Sequence, residues 1–233
     1  MKRKFAVVAM DDHPVARLAV RCTLADHVDL ELTALFDRPS ALLTALAQQR
    51  CDVLVTDLSV PGEGQCDGLN LLRTVRARHP CISIIVVSMY DSPALMRSAL
   101  QLGVSAFISK CDTSGYLIRA VRAALRGERF LTPRSRARFD VARARAGASS
   151  QNAALTERET YILRCYLAGD SLSVIAGSLG RSVKTVGAQR TMAMRKLWIE
   201  NDAHLFEYAA FAGIEPKSAV GMSVRRLCAV SAA

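Results

Sequence analysis

The chain predicts a doubly wound α/β domain followed by a small all-helical one. Three observations carry this. Short apolar runs without polar alternation, FAVVAM at Phe5–Met10, VLVT at Val53–Thr56 and SIIVV at Ser83–Val87, are the pattern of strands buried on both faces of a parallel sheet. Segments of helical period separate them. From residue 154 such runs cease, and helical period continues between glycine stops. A length of 233 residues favours two domains, and 51% hydrophobic content suffices for buried cores.

In chain order, the first strand ends in Asp11-Asp12-His13-Pro14. Pro14 suits a first helical turn, where its missing N–H costs nothing. Val15, Leu18, Ala19, Cys22 and Leu24 then supply the expected inward stripe. Leu30–Phe36 reads as the second strand and Pro39–Gln49 as a helix. The third strand delivers Asp57 to its end and turns at Pro61-Gly62-Glu63-Gly64. Gly68–Arg78 is helical through Leu69, Leu72 and Val75, and His79-Pro80 stops it. Ser88 stands at the end of the fourth strand, and Pro93–Leu102 is a helix closing at Gly103. Val104–Ile108 is the fifth strand, ending in Ser109-Lys110, and Ser114–Arg126 the last helix, with Leu117, Val121 and Leu125 inward. Five strands alternate with five helices.

In open α/β sheets, ligands collect outside the carboxyl ends of the strands. Those ends here carry Asp11, Asp12, Asp57, Ser88 and Lys110. Three carboxylates are hard oxygen ligands suited to Mg²⁺. A hydroxyl and an ammonium opposite them suit phosphoryl oxygens. Asp11-Asp12 alone also fits helix caps facing water.

The net charge of +10 fits an anionic partner. Its placement is uneven: residues 126–153 hold seven basic and two acidic side chains, and residues 154–233 hold ten and seven. The seven cysteines are scattered and never spaced C-x-x-C, which argues against a disulfide framework or a zinc site. No apolar stretch reaches about 18 residues and no leader pattern is present, so the expectation is a cytoplasmic protein with no membrane partner.

Gly127–Ala153 is basic, with Pro133, Gly147 and paired serines, and reads as a linker with a short helix around Ser135–Arg145. Its arginines suit either solvent or DNA phosphates. Thr156 with Glu159 three residues on is a capping box. Ile162, Leu163, Tyr166 and Leu167 face inward before Gly169. Ser171 opens a short helix with Ile175, Ala176 and Leu179 inward, ending at Gly180. Ser182 caps a third, with Val183, Val186, Ala193, Met194 and Leu197 on the side expected to be buried. Two short helices around a glycine turn make a helix-turn-helix. Lys184, Gly187, Ala188, Thr191 and Arg195 fall on the opposite face at i, i+3, i+4, i+7 and i+11. Gly187 and Ala188 would let the axis approach base edges of double-stranded DNA. Thr191 and the Ala188 methyl suit thymine, and Lys184 and Arg195 suit guanine or phosphate. A solvated helix face is the other reading, although glycine at its centre is costly there.

DDHP, VTDLSVPG, Ser88 and Lys110 at these strand ends resemble the receiver domain of two-component response regulators, over about residues 5–127. The resemblance implies a flavodoxin-like (βα)5 fold of strand order 2-1-3-4-5, with Asp57 as phosphoacceptor for a histidine kinase or phosphotransfer protein. It also implies Mg²⁺ on Asp11, Asp12, Asp57 and the main-chain carbonyl of Ser59, phosphoryl contacts from Ser88 and Lys110, and Phe107 as switch aromatic. Cys111 replaces a common proline, which implies an altered turn after the lysine. LTERE, AGDSLSVIAGSLGRSVKTVGAQ and RKL resemble the LuxR-type helix-turn-helix of the NarL/FixJ response regulators. This places Lys184, Thr185, Ala188, Gln189, Arg190 and Thr191 at or near DNA. Gln189 replaces the usual histidine and Gly187 a common lysine, so base preference does not carry over. Ala203–Phe211 resembles the family's last helix, which can pair protomers, implying a homodimer on paired half-sites or a heterodimer with an auxiliary regulator. SVKTVGAQRTMAMRKLWIEND and LSVPGEGQCDG most resemble a branch governing capsular polysaccharide, implying capsule, exopolysaccharide, motility or biofilm genes.

The implied protein is a phosphorylation-switched transcription factor and not an enzyme. Its receiver spans residues 1–127, a basic linker 128–153, the helix-turn-helix domain 154–215, and a tail expected to be disordered 216–233. An aspartyl-phosphate phosphatase on a similar sheet would need a second acid two residues after its nucleophile, where Ser59 stands. An auxiliary regulator that docks other transcription factors without phosphate remains the alternative.

Overall fold

A computed structural model describes residues 3–59, 68–112, 115–147 and 154–219. Two compact units emerge, the first built on a sheet and running to Val141, the second built on the helices that follow. The expected turn at Pro61–Gly64, Cys66, Ser114, the end of the linker and residues 220–233 lie outside the described residues.

The first unit runs β1 Phe5–Met10, α1 Pro14–Ala25, β2 Leu30–Phe36, α2 Pro39–Leu46, β3 Val53–Thr56, α3 Gly68–Arg78, β4 Ser83–Ser88, α4 Pro93–Gln101, β5 Ala106–Ser109, α5 Tyr116–Leu125, β6 Phe130–Leu131 and the start of α6 Pro133–Ala146, whose residues from Ala142 belong to the second unit. All pairings are parallel, in the order β2-β1-β3-β4-β5-β6. The expected order thus appears with a sixth strand beside β5. Phe130 N–H donates to the Ser105 carbonyl at 2.9 Å and pairs its residue with Ala106. Two residues are too few for an apolar run to announce a strand. Helices cover both faces, so Val7, Leu54, Ile84 and Ile85 are fully buried, as continuous apolar strands require.

Prolines open α1, α2 and α4 in their first turns. The expected phase of α1 is wrong: Val15 is 78% and Leu18 47% exposed, and Cys22 is exposed. Val20 and Leu24, one turn apart, pack on the core instead. Five apolar residues spread around a helix allow more than one inward line, and the sheet selects it.

The second unit comprises α7 Glu157–Leu167, α8 Leu172–Leu179, α9 Val183–Leu197 and α10 Asp202–Ala212. Ile162, Cys165, Ile175, Ala176 and Val186 form its core. Val183, expected inside, is 46% exposed at the start of α9. The tail's first residues are ordered, contrary to expectation: Lys217 N–H donates to the Arg164 carbonyl at 3.0 Å, and Ala219 is buried in the core. No helix among the described residues is long and apolar enough to cross a membrane.

The capping box forms reciprocally. Glu159 N–H donates to Thr156 Oγ1 at 3.2 Å, and Thr156 N–H to Glu159 Oε2 at 2.8 Å. Lys196 of α9 donates to the same carboxylate at 2.7 Å. Burial pushes the Glu159 carboxyl up, but the bonds from Lys196 and Thr156 outweigh it and hold the group below its ordinary 4.5. Its stabilisation is therefore complete above pH 4.5 and lost as pH falls through the lowered value. In urea unfolding, Glu159→Gln should lower the midpoint at neutral pH, with the gap to wild type closing in acid. A gap independent of pH would show that the charge contributes nothing.

Candidate functional site

The pairing of β1 with β3 places Met10 beside Thr56, so the next residues, Asp11 and Asp57, emerge side by side. Both are buried, Asp57 at 3% exposure. Two carboxylates in that position repel unless compensated. Lys110, just beyond β5, supplies the charge: its Nζ lies 2.7 Å from Asp57 Oδ2 and 2.7 Å from Asp11 Oδ2. Burial opposes the Lys110 ammonium, but the two carboxylates more than offset it and hold its pKa above the ordinary 10.5. The other Asp57 oxygen accepts from Leu58 N–H at 2.6 Å and Ser59 N–H at 3.2 Å.

Asp12 sits at the rim, where His13 Nδ1 lies 2.7 Å from its Oδ1. Asp11, Asp12, His13 and Asp57 each bring a ligand atom within 4.8 Å of the others. A carboxylate-rich set of this kind suits a hard divalent cation. Two members escaped the sequence argument. His13 joins the cluster, and Arg17 donates from Nη1 to the Asp11 and Asp12 carbonyls at 2.6 and 3.0 Å. Position 17, one helical turn after His13, was the available signal, but an arginine on a helix has many other uses.

Ser88 is buried at the end of β4, yet its hydroxyl does not meet Asp57; it accepts from Tyr90 N–H at 3.2 Å. Phe107 is fully buried in β5. A cavity of about 560 Å³ adjoins the carboxylates, with Asp57 and Lys110 among its lining and Val15, Val20, Ile108 and Leu117 along its apolar wall.

On α9 the structure separates the candidate residues. Lys184, Thr185, Ala188, Thr191 and Arg195 are exposed. The Thr185 hydroxyl pairs with Ser182 Oγ at 2.8 Å, and the Arg195 Nε donates to the Ala146 carbonyl at 3.3 Å. Gln189 is half-buried, and its Oε1 has no hydrogen-bond partner among the described residues. Arg190 turns inward to Asp202. Among the described residues a methyl group at Gly187 would touch only Leu172 Cδ1, at 3.8 Å, so packing against them does not demand glycine there.

Comparison with known proteins follows the same two-part division. Residues 7–122 match the response regulator receiver domain, and residues 153–209 the bacterial regulatory proteins of the luxR family. The chain is 32% identical over 210 residues to the transcriptional regulatory protein RcsB of Escherichia coli K12, covering 90% of this chain and 96% of that one. It is 33% identical over 199 residues to the transcriptional regulatory protein UhpA of the same organism, covering 85% and 94%. Among solved structures, RcsB of Salmonella enterica serovar Typhimurium bound to promoter P1flhDC with the phosphomimetic BeF3- aligns with a TM-score of 0.79 at 30% identity, over 90% of this chain and 100% of that one. A receiver domain joined to a luxR-type helical unit, with 32% identity to RcsB over 90% of the chain, places this chain in the family of response regulators to which RcsB belongs.

Proposed function

We propose that this chain is a transcription factor switched by phosphorylation of Asp57. The observation that carries the proposal is the Asp57 carboxylate itself, buried, gripped at one oxygen by two backbone N–H groups and at the other by an ammonium shared with Asp11. A carboxylate oxygen attacks the phosphorus of a histidine kinase, phosphotransfer protein or small acyl phosphate. The new P–O bond forms as the donor's breaks, and the donor departs with the electron pair. Asp11, Asp12, Asp57 and the Ser59 carbonyl would hold Mg²⁺, which when bound would supply charge neutralisation at the phosphoryl oxygens. Arg17, by pinning two carbonyls, holds the loop carrying Asp11 and Asp12. Ser59, in place of a second acid, leaves no general acid–base group there, which supports a switch and not a phosphatase.

Phosphorylation adds roughly −1.5 to −2 of charge. Lys110 and Ser88 are drawn to it, Ser88 giving up the Tyr90 N–H, and Phe107 rotates into the vacated space. The loops concerned also hold α6. Asp112, two residues after Lys110, accepts from Thr132 Oγ1 at 2.7 Å, and Thr132 accepts from Ser135 N–H at 3.1 Å in the helix's first turn. Asp91, three residues after Ser88, pairs with Arg138. A charge change at Asp57 thereby has a bonded route into the helix that leads on towards residues 154–219.

The surface for double-stranded DNA is Lys184, Thr185, Ala188, Gln189, Thr191 and Arg195, with Gly187 permitting close approach. Solved RcsB dimers bound to DNA support a homodimer on DNA; paired half-sites and a heterodimer with an auxiliary regulator belong to the same reading. A cytoplasmic location and control of capsule, exopolysaccharide, motility or biofilm genes belong to the same reading.

Asp57→Ala should abolish labelling by acetyl phosphate in Mg²⁺; unchanged labelling would remove Asp57 as acceptor. Asp12→Ala should weaken Mg²⁺ binding about tenfold or more in calorimetric titration, through loss of one charged ligand. An unaltered affinity would exclude Asp12 from the set. Lys184→Ala should cost about 1–3 kcal/mol on a preferred duplex if it reads a base. An equal loss on all sequences would make it a phosphate contact.

A further inference from the structure

Arg190 does not lie with the other basic groups of α9. It follows Val186 by four residues and precedes Ala193 and Met194 by three and four, all buried, so helical period turns it inward. Its side chain is 17% exposed. The guanidinium meets Asp202 Oδ1 through Nη2, and its central carbon lies 4.0 Å from the centre of the Tyr166 ring. The Tyr166 hydroxyl donates to the second Asp202 oxygen at 2.7 Å. One residue each from α7, α9 and α10 closes a triangle in which both carboxylate oxygens and the ring face are engaged.

The triangle lies next to a sharp turn. α9 ends at Trp198, a bulky residue held at φ +62, and α10 begins four residues later with Asp202 in its first turn. Trp198 N–H and Ile199 N–H donate back to the Arg195 and Met194 carbonyls at 3.1 and 2.9 Å, and both side chains are buried, so the turn is held locally. The side-chain link adds a second constraint that reaches α7 as well. Arginine suits this link, since a planar guanidinium can stack on the ring while its edge addresses the carboxylate. A lysine ammonium cannot do both. Swinging Arg190 out to a phosphate would leave Asp202 without its cation and uncover the Tyr166 face.

We propose that Arg190 is a positioning residue of the DNA-reading surface: through Asp202 and Tyr166 it fixes α9 against α10 and α7, and it makes no contact with DNA itself. This rests on α9 being the DNA-reading helix and removes from that surface the one cation the family resemblance had added to it.

The test measures thermal unfolding of the full chain and its affinity for P1flhDC and random-sequence duplexes over a range of salt. Arg190→Lys, Arg190→Gln, Asp202→Asn, Tyr166→Phe and the double variant Arg190→Gln/Asp202→Asn are compared with wild type, and Lys184→Gln serves as a surface control. Arg190→Gln should lower the melting temperature and weaken binding by roughly tenfold, with the salt slope unchanged. Arg190→Lys should resemble Arg190→Gln despite keeping its charge. Tyr166→Phe should give a smaller loss of the same kind. The double variant should melt no lower than the worse single one. Lys184→Gln should reduce the salt slope by about one without changing the melt. The proposal is overturned if Arg190→Gln removes about one unit of salt slope with its melt unaltered, if Arg190→Lys behaves as wild type, or if the Arg190 and Asp202 effects on melting add. Failure of wild type to bind either duplex would instead sink the DNA reading, while the melting cycle would still decide whether Arg190 and Asp202 act as one unit.

Discussion

The sharing of Lys110 between Asp11 and Asp57 is the constraint on which the first unit depends. Parallel pairing of β1 and β3 forces two carboxylates to emerge together, and burial there would be prohibitive without a cation. Lys110, from the far side of β4, resolves the conflict. One ammonium against two carboxylates leaves the group net negative. Any further negative charge at Asp57 competes for an ammonium that already serves two partners, which makes the site sensitive to phosphorylation.

That sensitivity matters because the loops at the strand ends have second tasks. Ser88 uses its hydroxyl to hold Tyr90 N–H, and the residues following Ser88 and Lys110 hold Arg138 and Thr132. The connecting helix α6 has two buried alanines, Ala142 and Ala146, but no strong apolar face of its own, and its sequence is mostly arginine, alanine and polar groups. Polar links at its start therefore weigh more in placing it than they would for a helix with a broad hydrophobic stripe.

The helical unit applies a comparable economy. The Thr156 and Glu159 capping box ends one helix cleanly, and the same Glu159 carboxylate accepts from Lys196 on another. Asp202 likewise serves both a phenol and a guanidinium. Buried or half-buried acids with two partners tie helices at defined angles, and the exposed face of α9 is what those ties present to a partner.

Much of both units was legible in the chain because it depends on local rules. Continuous apolar runs mark strands buried on two faces, proline and the Thr156-to-Glu159 spacing mark helix starts, and acids at strand ends mark the crevice. The phase of α1 was misjudged, since Val15 and Leu18 are as apolar as Val20 and Leu24 and only the sheet decides which of them it covers. β6 carries no periodicity in two residues, and the ordered start of the tail depends on hydrogen bonds to Arg164 of α7 and to Asp170, both distant in sequence. The role of Arg190 rests on Asp202 and Tyr166, brought close by folding, whereas His13 and Arg17 bond residues one to six positions away, where a charged side chain has many other uses. The sequence by itself determined which elements form and which charged groups stand at their ends. Only the tertiary structure decided which of those charges meet, because a side chain's partner depends on distances across the fold that local periodicity does not encode.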